Sequence, residues 1–321
     1  MLLCLTKIDD IPEVEANLKN LAMKMNWEFK FVNAPIEKEL LLYSNDTKVI
    51  FMNPNKSHVY FNKNVLEKFK KLDVLCTAST GTVHIDLKAA NYLGITVINI
   101  KNYTEILKTV PSTAELAFAL TLNGLRKIIQ SHNDALQHKS WDFEKYIGKQ
   151  IKDLKIGVIG YGRLGSIYSK MMNDSGAKIS ILDPLFALDF EKAIQNFLKE
   201  ASTFDVLSIH IHAEKNINFV DKKFFEVIPD DIIIVNTSRG EVINHNDLFN
   251  FLQKNPKAQY CTDVLPEESN NFKRKEMLKK FSKYPNILVT QHIGGMSLGA
   301  RKTAFGLASN LLLEHYGIFN D

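Results

Sequence analysis

The stretch Lys155-Ile-Gly-Val-Ile-Gly-Tyr-Gly-Arg-Leu-Gly165-Ser restricts the fold more than any other part of the chain. Its apolar run, Ile156 to Ile159, reads as a buried strand that stops at Gly160. Gly160, Gly162 and Gly165 match G-x-G-x-x-G. In that spacing the first glycine permits a tight turn and the second lets a pyrophosphate approach the backbone. The third lets the next helix pack close to the strand. The helix N-terminus then offers free N–H groups and a positive dipole end to the phosphates. Three glycines alone fit an ordinary strand–turn–helix corner equally well, so the context decides. Leu164, Ile167, Tyr168, Met171 and Met172 recur three and four apart, and Asp174-Ser175-Gly176 stops that helix. A second strand, Lys178–Leu182, ends at Asp183, 23 residues past Gly160. A carboxylate there accepts hydrogen bonds from ribose hydroxyls and repels a 2′-phosphate. Pro184-Leu185-Phe186 brings no arginine, so the pattern favours NAD over NADP.

The rest of the chain repeats this alternation. Strands are expected at Leu2–Leu5, Glu28–Val32, Lys48–Met52, Val74–Ala78 and Thr96–Ile100, with helices such as Pro12–Lys24 and Asn64–Leu72 between them. After Asp183 come strands at Asp205–Ile211, Asp231–Thr237, Tyr260–Leu265 and Ile287–Gln291. Helices are expected at Phe190–Ala201, Lys222–Val227, Asn246–Leu252, Met277–Lys283 and Ser297–His315. Near-continuous apolar strands separated by helices mark parallel sheets buried on both faces. Ser112 and Glu115 have capping-box spacing, and the helix they open runs through Ile129, apolar on most sides. At 321 residues two domains are expected. A net charge of +4 from 40 basic and 36 acidic residues, without a basic cluster, argues against nucleic acid. No apolar run reaches the ~18 residues of a membrane span, and the apolar start is too short for a signal peptide. Cys4, Cys76 and Cys261 have no metal spacing, so a reduced, cytoplasmic setting is the simple reading.

In open α/β sheets ligands lie beyond the carboxyl ends of the strands. Three such ends carry chemistry here. Ser238-Arg239-Gly240 follows one strand, Asp263-Val-Leu-Pro-Glu267-Glu268 closes another, and His292-Ile-Gly-Gly295 follows a third. An arginine binds a carboxylate and carbonyl with its planar fork of donors. A histidine gives a proton to a keto oxygen or takes it back. A glutamate, Glu267 or Glu268, beside the imidazole would raise its pKa from about 6.5. His210 and His212 read as pocket lining. The loops Asn53–Ser57 and Ser79–Thr82 follow strands; the second fits either an anion held by its backbone N–H groups or a plain glycine-containing loop, and the first fits an ordinary turn as well. Neither a metal-ligand spacing nor a nucleophile elbow occurs.

Several motifs together resemble the D-isomer-specific 2-hydroxyacid dehydrogenase family over nearly the whole length. They are Thr80-Gly81…His84-Ile-Asp86, Thr113-Ala-Glu-Leu116, the glycine turn with Asp183, Val235-Asn-Thr-Ser-Arg-Gly-Glu-Val242, Asp263-Val-Leu-Pro-Glu-Glu268 and His292-Ile-Gly-Gly295. The resemblance implies an α/β fold of two doubly wound parallel-sheet domains with a cleft between them. One would be a Rossmann NAD-binding domain at 106–296, including a dimerisation arm around 112–150. The other would be a flavodoxin-like substrate or lid domain, discontinuous over 1–105 and 297–321. It also implies an NAD-dependent, D-stereospecific oxidoreductase acting on a small 2-hydroxy or 2-keto acid, in a homodimer. The family's catalytic glutamate lies five residues after the strand aspartate, which selects Glu268 and gives Arg239, Glu268 and His292 as the triad.

For the cofactor the same resemblance implies Gly160, Tyr161, Gly162, Arg163, Leu164, Gly165, Asp183, His210, Thr237, Asp263 and Gly294, with Asp263 near the nicotinamide amide. For the substrate it implies Asn53, Thr80, Gly81, Arg239 and His292. Two departures stand out. His212 replaces the proline of the usual His-x-Pro, and the stretch Asn102–Pro111 is longer than usual. No regulatory domain is expected after Asp321. A non-catalytic NAD-sensing corepressor on the same fold is the alternative, since such proteins keep similar motifs.

Overall fold

In a computed structural model, residues 1–53, 59–139 and 141–319 are described. The chain forms two compact units. One comprises Met1–Val110, Ser269–Asn271 and the segment from Met296 on; the other comprises Pro111–Glu268 and Phe272–Gly295. The chain thus crosses between the units at 110/111, 268/269, 271/272 and 295/296, where the family resemblance implied 105/106 and 296/297.

The first unit holds a parallel sheet of β1 (Leu2–Cys4), β2 (Phe29–Phe31), β3 (Val49–Met52), β4 (Val74–Thr77) and β5 (Thr96–Ile98), in the order β2-β1-β3-β4-β5. Every residue of β1, β3 and β4 is buried, because helices cover both faces. Side chains alternate between the faces. Leu2, Cys4, Val49, Phe51, Val74 and Cys76 pack with Val14, Leu18 and Leu21 of helix Pro12–Lys24. On the same face lie Phe305, Ala308 and Leu312 of the last helix, Leu298–His315. Leu3, Ile50, Met52 and Leu75 pack on the opposite face against Leu66, Phe69, Ala89 and Ala90.

The second unit holds β6 (Lys155–Ile159), β7 (Lys178–Leu182), β8 (Val206–Ile209), β9 (Ile233–Asn236), β10 (Gln259–Thr262) and β11 (Ile287–Val289). These pair in parallel in the order β11-β10-β9-β8-β6-β7. The strand order reverses between β6 and β8, where a doubly wound sheet opens a crevice at its carboxyl edge. One face is lined by Ile156, Val158, Val235 and Cys261 under helices Ser112–Arg126 and Arg163–Asp174. The other is lined by Ile159, Leu207, Ile234 and Tyr260 against Phe197, Phe224, Phe251 and Phe281.

Two local expectations are corrected. No capping box forms at Ser112. Pro111 is the N-cap, and the Ser112 hydroxyl donates instead to the Gly294 carbonyl at 2.6 Å. The long helix is also not continuous. It breaks at Lys127 (φ 50°), and Ile128 and Ile129 are exposed rather than buried. Among the described residues no helix is long and apolar enough to cross a membrane.

Candidate active site

The glycine turn joins β6 to helix Arg163–Asp174 in the second unit. Gly160 has φ +91°, and a Cβ there would lie 2.8 Å from the His210 carbonyl. That backbone is open to glycine and strained for other residues. At Gly165 a Cβ would lie 2.0 Å from the Gly160 carbonyl, so only hydrogen lets the helix approach the strand this closely. A Cβ at Gly162, the helix N-cap, would meet nothing within 4 Å, which leaves open room beside the helix N-terminus. Asp183 ends β7 and ties the edge together. One of its oxygens accepts from Tyr161 N at 2.7 Å and the other from Leu185 N at 2.8 Å. Each carboxylate oxygen retains a second lone pair. Arg163 and Leu164 are half-buried in the first turn of the helix, where burial pushes the Arg163 guanidinium down from its ordinary pKa. His210, past β8, packs its ring 5.0 Å from that of Tyr168 and meets Ser208 Oγ at 2.8 Å. Burial pushes this imidazole down to about 4. His212 is exposed.

Three strand ends farther along the sheet supply the charged groups. After β9, Arg239 bends back so that Nη1 donates to the Ser238 carbonyl at 2.7 Å. After β10, Glu268 turns inward. Its Oε1 meets His292 Nδ1 at 2.5 Å, and its Oε2 accepts from Leu265 N at 3.2 Å. Glu267 is exposed and pairs with Lys273, so geometry puts Glu268 on the imidazole. Burial works to raise the Glu268 carboxyl. The bonded His292 ring, the Leu265 N–H and the nearby Arg239 guanidinium outweigh it and hold the group below the ordinary carboxylate range. Ionised Glu268 only accepts, so Nδ1 of His292 carries the shared proton.

His292 itself sits at φ 53°, in the left-handed region. The next two residues anchor it there. Asp263, 1% exposed, accepts from Ile293 N at 2.8 Å through Oδ1 and from Gly294 N at 2.8 Å through Oδ2. Thr290 Oγ1 donates to the same Oδ1 at 2.5 Å. Asp263 therefore organises the histidine loop, beyond the cofactor contact expected of it. Thr237 lies between β9 and Arg239, with a buried hydroxyl that has no partner among the described residues. That orphaned hydroxyl and the open space at Gly162 are what a bound dinucleotide would satisfy and fill.

The residues expected on the substrate from the first unit stand at its own strand ends. Asn53 is buried after β3, and the rest of its loop to Ser57 lies outside the described residues. After β4, Ser79 Oγ donates to the Gly81 carbonyl at 2.7 Å, next to exposed Thr80. Sequence reasoning passed over Ser112 and Asn236 as site residues. An asparagine at a strand end followed by Thr-Ser-Arg is an Asx-turn signal that would have flagged the second. Among the described residues no group of three or more His, Cys, Asp or Glu could hold a metal ion.

Comparison with known proteins adds to this geometry. The model of the D-isomer specific 2-hydroxyacid dehydrogenase NAD-binding domain matches residues 118–294, more than half of the chain. A D-3-phosphoglycerate dehydrogenase of Archaeoglobus fulgidus is 27% identical over 251 residues, covering 77% of this chain and 46% of its own. The chain thus spans about half the length of that relative. A glyoxylate reductase of Thermococcus litoralis is 27% identical over 268 residues, covering 78% of this chain and 76% of its own. The apo-structure of D-lactate dehydrogenase from Escherichia coli superposes with a TM-score of 0.77 at 21% identity, over 99% of this chain and 98% of that one.

Proposed function

Since the chain belongs to the D-isomer-specific 2-hydroxyacid dehydrogenase family and carries its NAD-binding domain, we propose that it interconverts a small D-2-hydroxy acid and the matching 2-keto acid with NAD(H). The observation that carries this is the His292–Glu268 pair at 2.5 Å, with Arg239 close enough to act on the Glu268 charge. An acid/base group, its orienting carboxylate and a carboxylate-binding cation stand together on one sheet edge. The turn Gly160–Gly165, with Tyr161, Arg163 and Leu164, would hold the pyrophosphate, and Asp183 would take the adenosine ribose. His210, Thr237, Asp263 and Gly294 would line the nicotinamide end. When bound, NAD supplies the hydride exchange that side chains cannot perform.

The residues do the rest. Arg239 binds the substrate carboxylate and carbonyl through its fork of donors. His292 faces Glu268 through Nδ1, so Nε2 is the nitrogen that gives a proton to the carbonyl oxygen in reduction and takes it back in oxidation. Ionised Glu268 accepts from Nδ1–H and orients the ring. For the first unit, the family resemblance assigns substrate contacts to Asn53, Thr80 and Gly81. Asp183 is fixed by two backbone N–H groups and sets the preference for NAD over NADP.

The test is NADH oxidation with glyoxylate, hydroxypyruvate, pyruvate and longer keto acids. Turnover of at least one is expected. Tight NADH binding with no acid reduced would refute the enzyme reading and favour a corepressor-like sensor. The segment around 112–150 leaves Trp141 96% and Phe143 77% exposed, with Ile128 and Ile147 also exposed. Apolar surface of that kind favours a homodimer contact. Light scattering that gives a monomer at working concentration would overturn it.

A further inference from the structure

We propose that Asn236 is the positioning residue of the substrate-binding arginine. Its side-chain amide fixes the backbone on both sides of the Ser238–Arg239 bond and so aims the guanidinium toward Glu268 and His292. This deepens the function proposed above and rests on it.

Asn236 closes β9 and is 0% exposed. Its Oδ1 accepts from Ser238 twice, from the backbone N–H at 3.0 Å and from the hydroxyl at 2.8 Å. Its Nδ2 donates to the Arg239 carbonyl at 2.9 Å, with the Tyr260 hydroxyl a longer second acceptor at 3.4 Å. One planar group therefore holds residue 238 by its acceptor end and residue 239 by its donor end. An aspartate would set an oxygen against the Arg239 carbonyl, and a serine reaches neither neighbour in the same way.

The backbone of Asn236 ties this turn to the other half of the site. Its carbonyl accepts from Asp263 N at 3.0 Å and from the Thr262 hydroxyl at 3.1 Å. Asp263 in turn holds the loop after His292. At Gly240 a Cβ would lie 2.1 Å from Pro266 N, so the arginine turn is pressed directly onto the segment leading to Glu268. None of the side-chain bonds of Asn236 is needed to build β9, whose ladder uses backbone groups only. Three of them, two from Ser238 and one to the Arg239 carbonyl, serve the turn that carries Arg239, and the longer one reaches Tyr260 on β10.

The experiment uses the full chain with Asn236→Ser, and Asn236→Asp as a second variant should the first fail to fold. Hydrogen exchange at amides 238–242 should rise about tenfold or more, while β8 and helix His245–Lys254 stay protected, since at least one net hydrogen bond of the turn is lost. Oxamate, a keto-acid mimic, should bind the NADH complex about tenfold more weakly, with NADH affinity changed less than about threefold. In Arg239→Lys, adding the Asn236 change should cost no more than about another twofold in oxamate affinity, because both act through one guanidinium. Protection of 238–242 unchanged in a folded variant, or oxamate losses that multiply, would overturn the proposal. If wild-type protein with NADH binds no oxamate and reduces none of the keto acids, the dehydrogenase reading fails instead, and the exchange measurement still decides what Asn236 holds.

Discussion

Asp263→Asn isolates the group that holds the histidine loop. Asparagine can keep an oxygen where Oδ1 accepts from Thr290 and Ile293, but it sets an NH2 against Gly294 N. Orphaning that buried N–H costs about 1–3 kcal/mol, and the two surviving bonds lose charge assistance worth about 1 kcal/mol each. No longer burying a charge offsets part of this, so a net loss of about 2–4 kcal/mol is expected. For a unit of this size about 2–4 °C accompanies each kcal/mol, so the transition should fall by about 4–16 °C in a calorimetric scan. Activity should follow. The left-handed backbone at His292 costs about 1–2 kcal/mol to maintain, and without both anchors the ring drifts from Glu268. A displacement of that kind lowers kcat by about tenfold to a hundredfold. A variant that unfolds within about 1 °C of wild type would refute the reasoning, because the bonds counted would then not be holding the loop.

His292→Ala should lower kcat by about two to four orders of magnitude while leaving NADH affinity nearly unchanged, as stopped-flow fluorescence would read; equal losses in both would remove its acid/base role. Asp183→Ala should weaken NAD binding and narrow its advantage over NADP, measured as the ratio of the two dissociation constants; an unchanged ratio would sink the assignment. His84 is 3% exposed, neither ring nitrogen has a partner among the described residues, and burial pushes its pKa down to about 4. The unfolded chain takes the proton near pH 6.5, so this residue's share of stability is full above that pH and lost as pH falls toward 4. Up to about 3 kcal/mol is involved, and His84→Phe should flatten that limb of the pH–stability curve in urea titrations.

Much of this architecture was legible in the sequence because its signals are local. Helix Pro12–Lys24, helix Phe190–Ala201 and strand Lys178–Leu182 follow directly from periodicity and stop residues. The identity of the groups at the strand ends was legible for the same reason, since a parallel sheet puts the ends of its strands on one edge. What stayed hidden depends on partners distant in the chain. Ser112 looked like a helix cap because Glu115 is three residues away, yet its hydroxyl belongs to Gly294. The break at Lys127 carries no glycine or proline to announce it. Asp263 read as a cofactor contact because nothing in its neighbourhood names Ile293 and Gly294 as the donors it serves.

The last helix has a consequence for synthesis. Phe305, Ala308 and Leu312 fill one face of the first sheet, whose strands all precede residue 99. On the ribosome that face, covered only in part by helix Pro12–Lys24, lacks its last layer until the chain has passed the whole second sheet. The second unit has every strand of its sheet, down to Ile287–Val289, before the helix that completes the first unit's core is made, so the half begun first is the half finished last.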